Sequence, residues 1–578
     1  MNPTARTIGV VSLAIVFLAA MAAMTAVGAP QVRLSGMAPE GSDAVEQTTH
    51  GTKPGATLVE SFDGLGAGFS GPQGSGRGGN PSDNSLAVGP NHIMQTVNGR
   101  GMAIFTKKGK LFDTTGKVLY GPVSAKNIFR GFTGNCEERS SGDVVVRYDQ
   151  LADRWLVVMP LFSRGAARPD QPEGGRAGAP AQVSVPGVAG QPGQAMALFQ
   201  PSPPADPTAP AVSAAPSNRA PQPQDPQGPY SMCYAVSSSA DPMGSYYRYE
   251  FLRAYFPDYP RPAIWPDGYY IPTSTSDDRI SATVATQKHA CVADRAKMLK
   301  GEPATEQCVI IENSNFINNA DLDGKALPPA GAPNIMMAAG GRQLDKIFQD
   351  HVIDVWKFHV DWQTPANTKV TGPEKITVAP YHYLCDGQLT FCVPQPGSKR
   401  RLDAQGDKIM ARLVYRNIGG RESIVAVHSV NTTAGGGGVR WYEFRVDKSR
   451  GVSLYQQGTY APEGFFRWMA SPALDKFGNI GIGYSFGGAL NFVGQRFAGR
   501  LANDPRGQLT LKETILVDGE GPDGDPTRPG IQRWEDYTQT AVDPTDDCTI
   551  WYVGDYVKKN GTSYSSRIGA FRMPGCGR

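Results

Sequence analysis

Two stretches near the C-terminus share one cadence: FRWMASPALDKFGNIGIGYSF, beginning at Phe466, and RWEDYTQTAVDPTDDCTIWYVGDY, beginning at Arg533. Each has a polar start, a short strand-like run, a turn anchored by Asp, and a second strand opening on an aliphatic residue. The same unit occurs earlier in SDNSLAVGPNHIMQTVN, SGDVVVRYDQLADRWLVVMP, PDYPRPAIWPDGYYIPTST and GDKIMARLVYRNIGGRESIVAVHSV. The turn anchors in order are Gly89-Pro90, Asp149, Asp267, Asn417, Asp475 and Asp543. A weaker member, GAPNIMMAAGG followed by VIDVWKFHVDW, makes seven. A unit recurring every ~65 to 75 residues reads as one sheet that cannot bury its faces alone and packs against its neighbours round a ring. The expected fold is therefore all-β, a single β-propeller of seven blades, or of six without the weaker unit.

The rest of the chain agrees with this class. Helical periodicity is scarce, VADRAKMLKG being the best short candidate, while runs of four to eight apolar or alternating residues are punctuated by Gly, Pro, Asn and Asp. The strand TLVESF near the N-terminus is the candidate to complete the last blade and leave it no free edge. Residues 1–29 read as a signal peptide, with Arg6 before the apolar run IGVVSLAIVFLAAMAAM and small residues Val27-Gly28-Ala29 at the cleavage point; an uncleaved anchor is the alternative. Residues 30–54 read as an irregular segment and 55–578 as the propeller. Within it, 164–228 is rich in Pro, Ala and Gln with hardly an aromatic, the composition of a disordered insertion. The strands DRWLVVMPLF and PYSMCYAVSS on either side are expected to be neighbours.

Export makes the eight cysteines candidates for pairing. Sequence order suggests Cys136 with Cys233, Cys291 with Cys308, Cys385 with Cys392, and Cys548 with Cys576. There is no CxxC, HxH or HExxH spacing, which leaves a thiolate or histidine zinc site without support. A net charge of +3 on 578 residues gives no electrostatic footprint for nucleic acid, and no segment beyond the signal is apolar enough to span a bilayer. The expected partners are carbohydrate or another extracellular protein.

The strings RLDAQGDKIMARLVYRN, VRWYEFR, RWMASPALDKFGNIGIGYS and RWEDYTQTAVDPTDDCTIWYVGDY resemble a group of large secreted bacterial proteins expected to be sialidase-like β-propellers. The resemblance covers roughly residues 80 to 577. It implies fold and export and brings no catalytic residues with it. The Phe-Arg-Ile-Pro motif and the Ser-x-Asp-x-Gly-x-Thr-Trp boxes of true sialidases are not intact here.

Several constellations compete as sites. Asp83, Asp143, Asp258, Asp407 and Asp536 stand six to ten residues before their turn anchors, so strand entries of five units would carry carboxylates to one mouth of the channel; the plainer reading is that each caps a strand end. Arg412 with Arg416, Arg440 with Trp441, Arg467 with Trp468, and Arg533 with Trp534 combine guanidinium forks with aromatic faces, a mix suited to an acidic carbohydrate or simply to packing between blades. The ligand-binding candidates are thus Asp143, Asp258, Asp407, Arg412, Arg467, Trp468, Trp534 and Asp536. A sialidase-type hydrolase needs an arginine cluster, a Tyr activated by Glu, and an acid, and for the last three Tyr537, Glu535 and Asp83 are the catalytic candidates. Asn319, Asp321 and Asp323 before Gly324 reproduce the first half of a calcium loop, although Ala330 replaces the glutamate at the twelfth position; an Asx-rich turn is the alternative. The acidic loop VDGEGPDGDP is a looser case. Gly483-Tyr484-Ser485-Phe486-Gly487 matches the nucleophile elbow by spacing but has no helix after it, and GSGRGG fits a dinucleotide fingerprint only by spacing. The favoured function is a secreted binding or scaffold propeller with a ligand site at the channel mouth, and the alternative is a sialidase-like glycoside hydrolase or lyase.

Overall fold

The structure is a computed structural model that describes residues 38–76, 78–163, 229–253, 255–274, 287–341 and 351–577. The expected signal segment 1–29 and the expected insertion 164–228 lie outside the described residues. The turn anchors work as the local chemistry of Asx turns dictates. Asp149 accepts from the backbone N–H groups of Leu151 and Ala152, Asp475 from those of Phe477 and Asn479, Asn417 from Gly420, and Asp543 from Thr545. Each fixes a hairpin, and successive hairpins form antiparallel meanders.

The first meander runs through Asn84–Val88, His92–Val97, Gly101–Thr106 and Val118–Val123. The second runs through Val145–Asp149, Arg154–Pro160, Tyr230–Ser237 and Tyr246–Arg253, with Arg154–Pro160 and Tyr230–Ser237 paired across the long insertion from Leu156 opposite Val236 to Pro160 opposite Met232. The third is a five-stranded sheet from Ala263–Trp265 to Glu306–Glu312. A joined sheet then holds three meanders, which begin at Asn318–Leu322, Leu413–Ile418 and Phe466–Leu474. Parallel pairing of Ala320–Leu322 with Leu413–Tyr415 and of Gly437 with Phe466 links them. The last meander, Gln539–Val542, Thr549–Tyr556 and Ser565–Arg572, takes its outer strand, Thr57–Gly66, from the other end of the chain. Four meanders stand as separate sheets, and the joined sheet contributes three more.

The inner strands touch in order from Asn84–Val88 round to Gln539–Val542, which packs back against Asn84–Val88. This closed ring makes the chain an all-β propeller. Its core lies between the sheets. Leu86, Phe105, Trp551 and Ile568 fill the space between last and first meander; Met94, Trp155 and Val157 that between first and second; and Phe497 stacks on Phe571 with ring centroids 4.2 Å apart. Since each sheet buries both faces, its strands read as near-continuous apolar runs. The one sequence-predicted helix is a single turn, Arg295–Met298, capped by Asp294, which accepts from the backbone N–H of Lys297. Among the described residues no helix is long and apolar enough to cross a membrane.

All four cysteine pairings expected from sequence order are present as disulfides. Cys548–Cys576 closes a loop of 28 residues inside the closing meander. By loop entropy, replacing both cysteines with serine should lower unfolding free energy by about 3–4 kcal/mol. Urea melts of oxidised wild type and the double variant will measure it.

Candidate functional site

Every inner strand enters the ring from the same end, so the residues just before it gather at one mouth of the channel. Five of these residues adopt left-handed backbone: Asp83 (φ 49°), Tyr259 (φ 54°), Gln405 (φ 44°), Glu535 (φ 52°) and Asp536 (φ 67°). Such conformations cost about 1–3 kcal/mol each and persist where surrounding structure over-determines them. Here cross-links between blades do so. The N–H of Asp83 donates to the carbonyl of Glu535 at 2.8 Å, the Tyr259 hydroxyl donates to the carbonyl of Asp536 at 3.0 Å, and Gln405 Nε2 donates to Asp536 Oδ1 at 2.9 Å.

The mouth gathers six carboxylates, Asp83, Asp143, Asp258, Asp403, Asp407 and Asp536, around four cations, Arg261, Arg533, Lys288 and Lys408. Burial, reinforced by Asp143 and Asp536, pushes the Asp83 carboxyl well up, against the pull of Arg533 and Asn98. Burial, then Asp258 and Asp536, does the same to Asp143. Asp258 is raised to about 6 by burial and Asp536, and Asp403 to about 7 by the same two causes. Burial lowers the Lys288 ammonium to about 7, against the attraction of Asp407 and Asp258. Arg533 bridges Asp403 and Asp536, at 2.5 Å to each, and Lys408 pairs with Asp407 at 2.6 Å.

Aromatic rings line the same space. The Arg261 guanidinium carbon lies 3.2 Å from the Tyr259 ring centroid and 4.6 Å from that of Tyr537. Lys408 and Lys288 approach Phe316, at 4.7 and 5.3 Å. Several buried polar atoms here make no hydrogen bond among the described residues: Asp83 Oδ1, Arg261 Nε and Nη2, Asp403 Oδ1 and the Tyr537 hydroxyl. Buried polar groups in native folds are nearly always partnered by protein, water or ligand, so this concentration marks the mouth. Arg533, 41% exposed, and Asp536 form its solvent-facing side.

Below the mouth the channel is plugged. Arg412 donates to Asp321 at 2.7 Å and to both oxygens of Asp323, and Arg147 donates to Asp321 at 3.1 Å. The residual cavity among them is about 20 Å³, room for roughly one water. Arg412 thus belongs to the plug, not the mouth. Asn319, Asp321 and Asp323 lie on or beside the strand Asn318–Leu322; both carboxylates are engaged by guanidinium groups, and Asn319 donates to Asn334 at 2.9 Å. A calcium ion there would have to displace two arginines.

The other candidates disperse. Glu535 points between blades, accepting from Ser485 at 2.6 Å, Gln495 at 3.0 Å and the N–H of Asp555 at 2.6 Å. Burial, reinforced by Asp143 and Asp83, holds the Tyr537 hydroxyl well above the ordinary range against the pull of Arg261. Trp534 is buried and donates to Ser485, which anchors this inter-blade network rather than an elbow. Trp468 donates to the carbonyl of Asp403 from beneath the mouth, and Arg467 binds Glu513 and Glu463 between Tyr460 and Phe486. Among the described residues, the groups of three metal-capable atoms within 4.8 Å are Cys291–Glu306–Cys308 and Asp546–Cys548–Cys576, whose cysteines are disulfide-bonded.

No family model matches the chain, and no curated protein matches it. Among solved structures it is similar to a protein of unknown function from Dyadobacter fermentans (9% identity over 90% of this chain and 100% of that one, TM-score 0.31). It is also similar to an ulvan lyase bound to -[GlcA(1-4)Rha3S]- (10%, 89% and 96%, TM-score 0.34) and to the NanB sialidase of Streptococcus pneumoniae (9%, 78% and 71%, TM-score 0.34). At these scores no residue or activity is carried across. The fold rests on the strand ladders and the site on its own geometry.

Tyr259, Arg261, Phe316, Lys288, Lys408, Asp403 and Gln405 belong to the site but were not among the sequence candidates. One signal was available: the dipeptide Asp-Tyr precedes two inner strands, as Asp258-Tyr259 and Asp536-Tyr537. For Asp258 and Asp403 the folded state holds protons more tightly than the unfolded chain does. Their contribution to stability is complete below about pH 4 and is lost as pH rises through 6 and 7. Lys288 acts in the opposite sense only above about pH 7. Melting temperature should therefore fall between pH 5 and 7 more steeply in wild type than in Asp258→Asn/Asp403→Asn, as differential scanning calorimetry will show.

Proposed function

We propose that this chain is an exported β-propeller binding protein whose ligand site is the channel mouth. The observation that carries the reading is the group of buried atoms without hydrogen-bond partners at the meeting point of several blades, both donors on Arg261 and acceptors on Asp83 and Asp403. A ligand rich in hydroxyls offers complementary donors and acceptors, and carbohydrate is the class that fits best. With Asp83 and Asp143 holding their protons, the other four carboxylates of the mouth are matched by four cations, which favours a neutral ligand over an acidic one. Export is supported by the signal-like N-terminus and by four disulfides with no free cysteine among the described residues. A glycan array probed with wild type, Arg261→Gln and Tyr537→Phe tests the reading. Binding should weaken at least tenfold in Arg261→Gln and less in Tyr537→Phe; binding indifferent to both substitutions removes the mouth as the site.

A second reading, a glycoside hydrolase or lyase, is favoured by Asp258 at about 6 and Asp403 at about 7, acids poised for proton transfer near neutral pH. Incubation of the bound glycans followed by mass spectrometry separates the two. Intact glycans support the binding protein; cleavage that is lost in Asp258→Asn with binding retained supports the enzyme.

A further inference from the structure

A second, separate cavity lies on the outer side of the fifth meander. Its wall is the outer strand Val452–Tyr460, onto whose edge the N-terminal strand Glu46–Gln47 adds in parallel, Glu46 opposite Thr459 and Gln47 opposite Tyr460. The turn Asp43–Val45 and the loop around Gly507 close its sides, leaving about 300 Å³ lined by Gln47, Tyr455, Gln456, Gln457, Arg506 and Gln508 among others. That volume is at the lower end of small-molecule sites.

The walls are fixed. Gln47 donates to the carbonyl of Leu509 at 3.0 Å and accepts from its N–H at 2.8 Å. Gln456 donates to Glu443 and accepts from the N–H of Gly507 at 3.1 Å. A Cβ on Gly458 would come within 2.3 Å of the Gly507 carbonyl oxygen, so this glycine is what lets strand and loop approach. Between Glu443 and Phe444 the pairing slips against Gln456 and Leu454, which leaves Tyr455 as the extra residue of a β-bulge. Bulges re-aim side chains. Tyr455 lies between two guanidinium groups, with Arg506 at 3.9 Å and Arg445 at 4.1 Å from its ring centroid.

The two arginines are not equivalent. Arg445 is paired with Glu443 at 2.5 Å, whereas Arg506 has no carboxylate partner among the described residues and is exposed. Stacking on Tyr455 holds its planar fork in place, the geometry suited to an oxyanion. Of the wall amides, Gln47 and Gln456 are committed to the fold and Gln457 accepts from the N–H of Ala379, which leaves Gln508 and the Nε2 of Gln457, without a bond among the described residues, to meet vicinal hydroxyls. Glu46 also lines the cavity and turns its carboxylate oxygens to the N–H and hydroxyl of Thr433. We infer that this cavity binds a monosaccharide-sized sugar acid, its carboxylate on Arg506 and its hydroxyls on the amides of Gln457 and Gln508. The inference is independent of the mouth.

Saturation-transfer NMR on the full chain, with glucuronic acid, glucose and inorganic sulfate as probes, tests it. Glucuronate ring protons should receive saturation, with glucose at least tenfold weaker and sulfate a poor competitor. Arg506→Ala should weaken glucuronate at least tenfold, and Tyr455→Ala should do the same by releasing the fork, both with an unchanged melting temperature. If Tyr455→Ala does not fold, Arg506→Ala, at an exposed loop position, decides alone. Absence of transfer to glucuronate, transfer undiminished in Arg506→Ala, or complete displacement by sulfate overturns the inference. Loss of binding in Arg261→Gln with retention in Arg506→Ala would move the sugar acid to the mouth and overturn it as well.

Discussion

Ring closure is the constraint on which the rest depends. No single meander can bury both faces of its sheet, and the aromatic and aliphatic side chains that fill the inter-blade spaces, Trp155, Trp551, Phe497 and Phe571 among them, find partners only when the next sheet is in place. The pairing of Thr57–Gly66 with Ser565–Arg572 turns an open row of sheets into a circle by joining the two ends of the chain. The mouth is a product of the same closure. Asp83 stands early in the chain and Glu535 late, yet the hydrogen bond between their backbones is one of the contacts that hold the strand entries together.

Closure brings like charges into proximity, and the mouth retains the resulting conflict. Arg533 resolves part of it by bridging Asp403 and Asp536, and Lys408 another part by pairing with Asp407. Asp83 and Asp143 are left with burial and repulsion from neighbouring carboxylates as the dominant influences, and hold their protons well above the usual carboxylate range. The plug below settles the same problem differently, with Arg412 and Arg147 neutralising Asp321 and Asp323 through short, charge-assisted bonds. The contrast separates a structural ion-pair network from a set of groups whose hydrogen-bonding capacity is unused.

The repeat was legible because it is local chemistry: an Asx turn at Asp149, Asn417, Asp475 or Asp543 announces a hairpin wherever it falls, and the hairpins set the ladder. Cysteine order was legible because each pair joins segments that are close along the ring, from the loop pair Cys385–Cys392 to Cys136–Cys233. The strand-entry aspartates could be picked out because each stands six to ten residues before its anchor. What their side chains face could not, since that depends on left-handed backbone at Asp83, Tyr259 and Asp536 and on blades far apart in sequence. Arg-Trp dipeptides misled for the same reason. In Arg533-Trp534 the arginine reaches the mouth while the tryptophan points between blades, and in Arg467-Trp468 the arginine goes to Glu513 and Glu463. Arg261 carries no signature, because only the fold sets it between Tyr259 and Tyr537.

The account stands or falls on the interdependence of closure and mouth. Native-state hydrogen exchange on a variant lacking residues 38–66, compared with the full chain, measures it directly. The account predicts that protection is lost together in Ser565–Arg572 and in the inner strands Asn84–Val88 and Gln539–Val542, which meet at the closing seam. Loss confined to Ser565–Arg572, with both inner strands still fully protected, would contradict it.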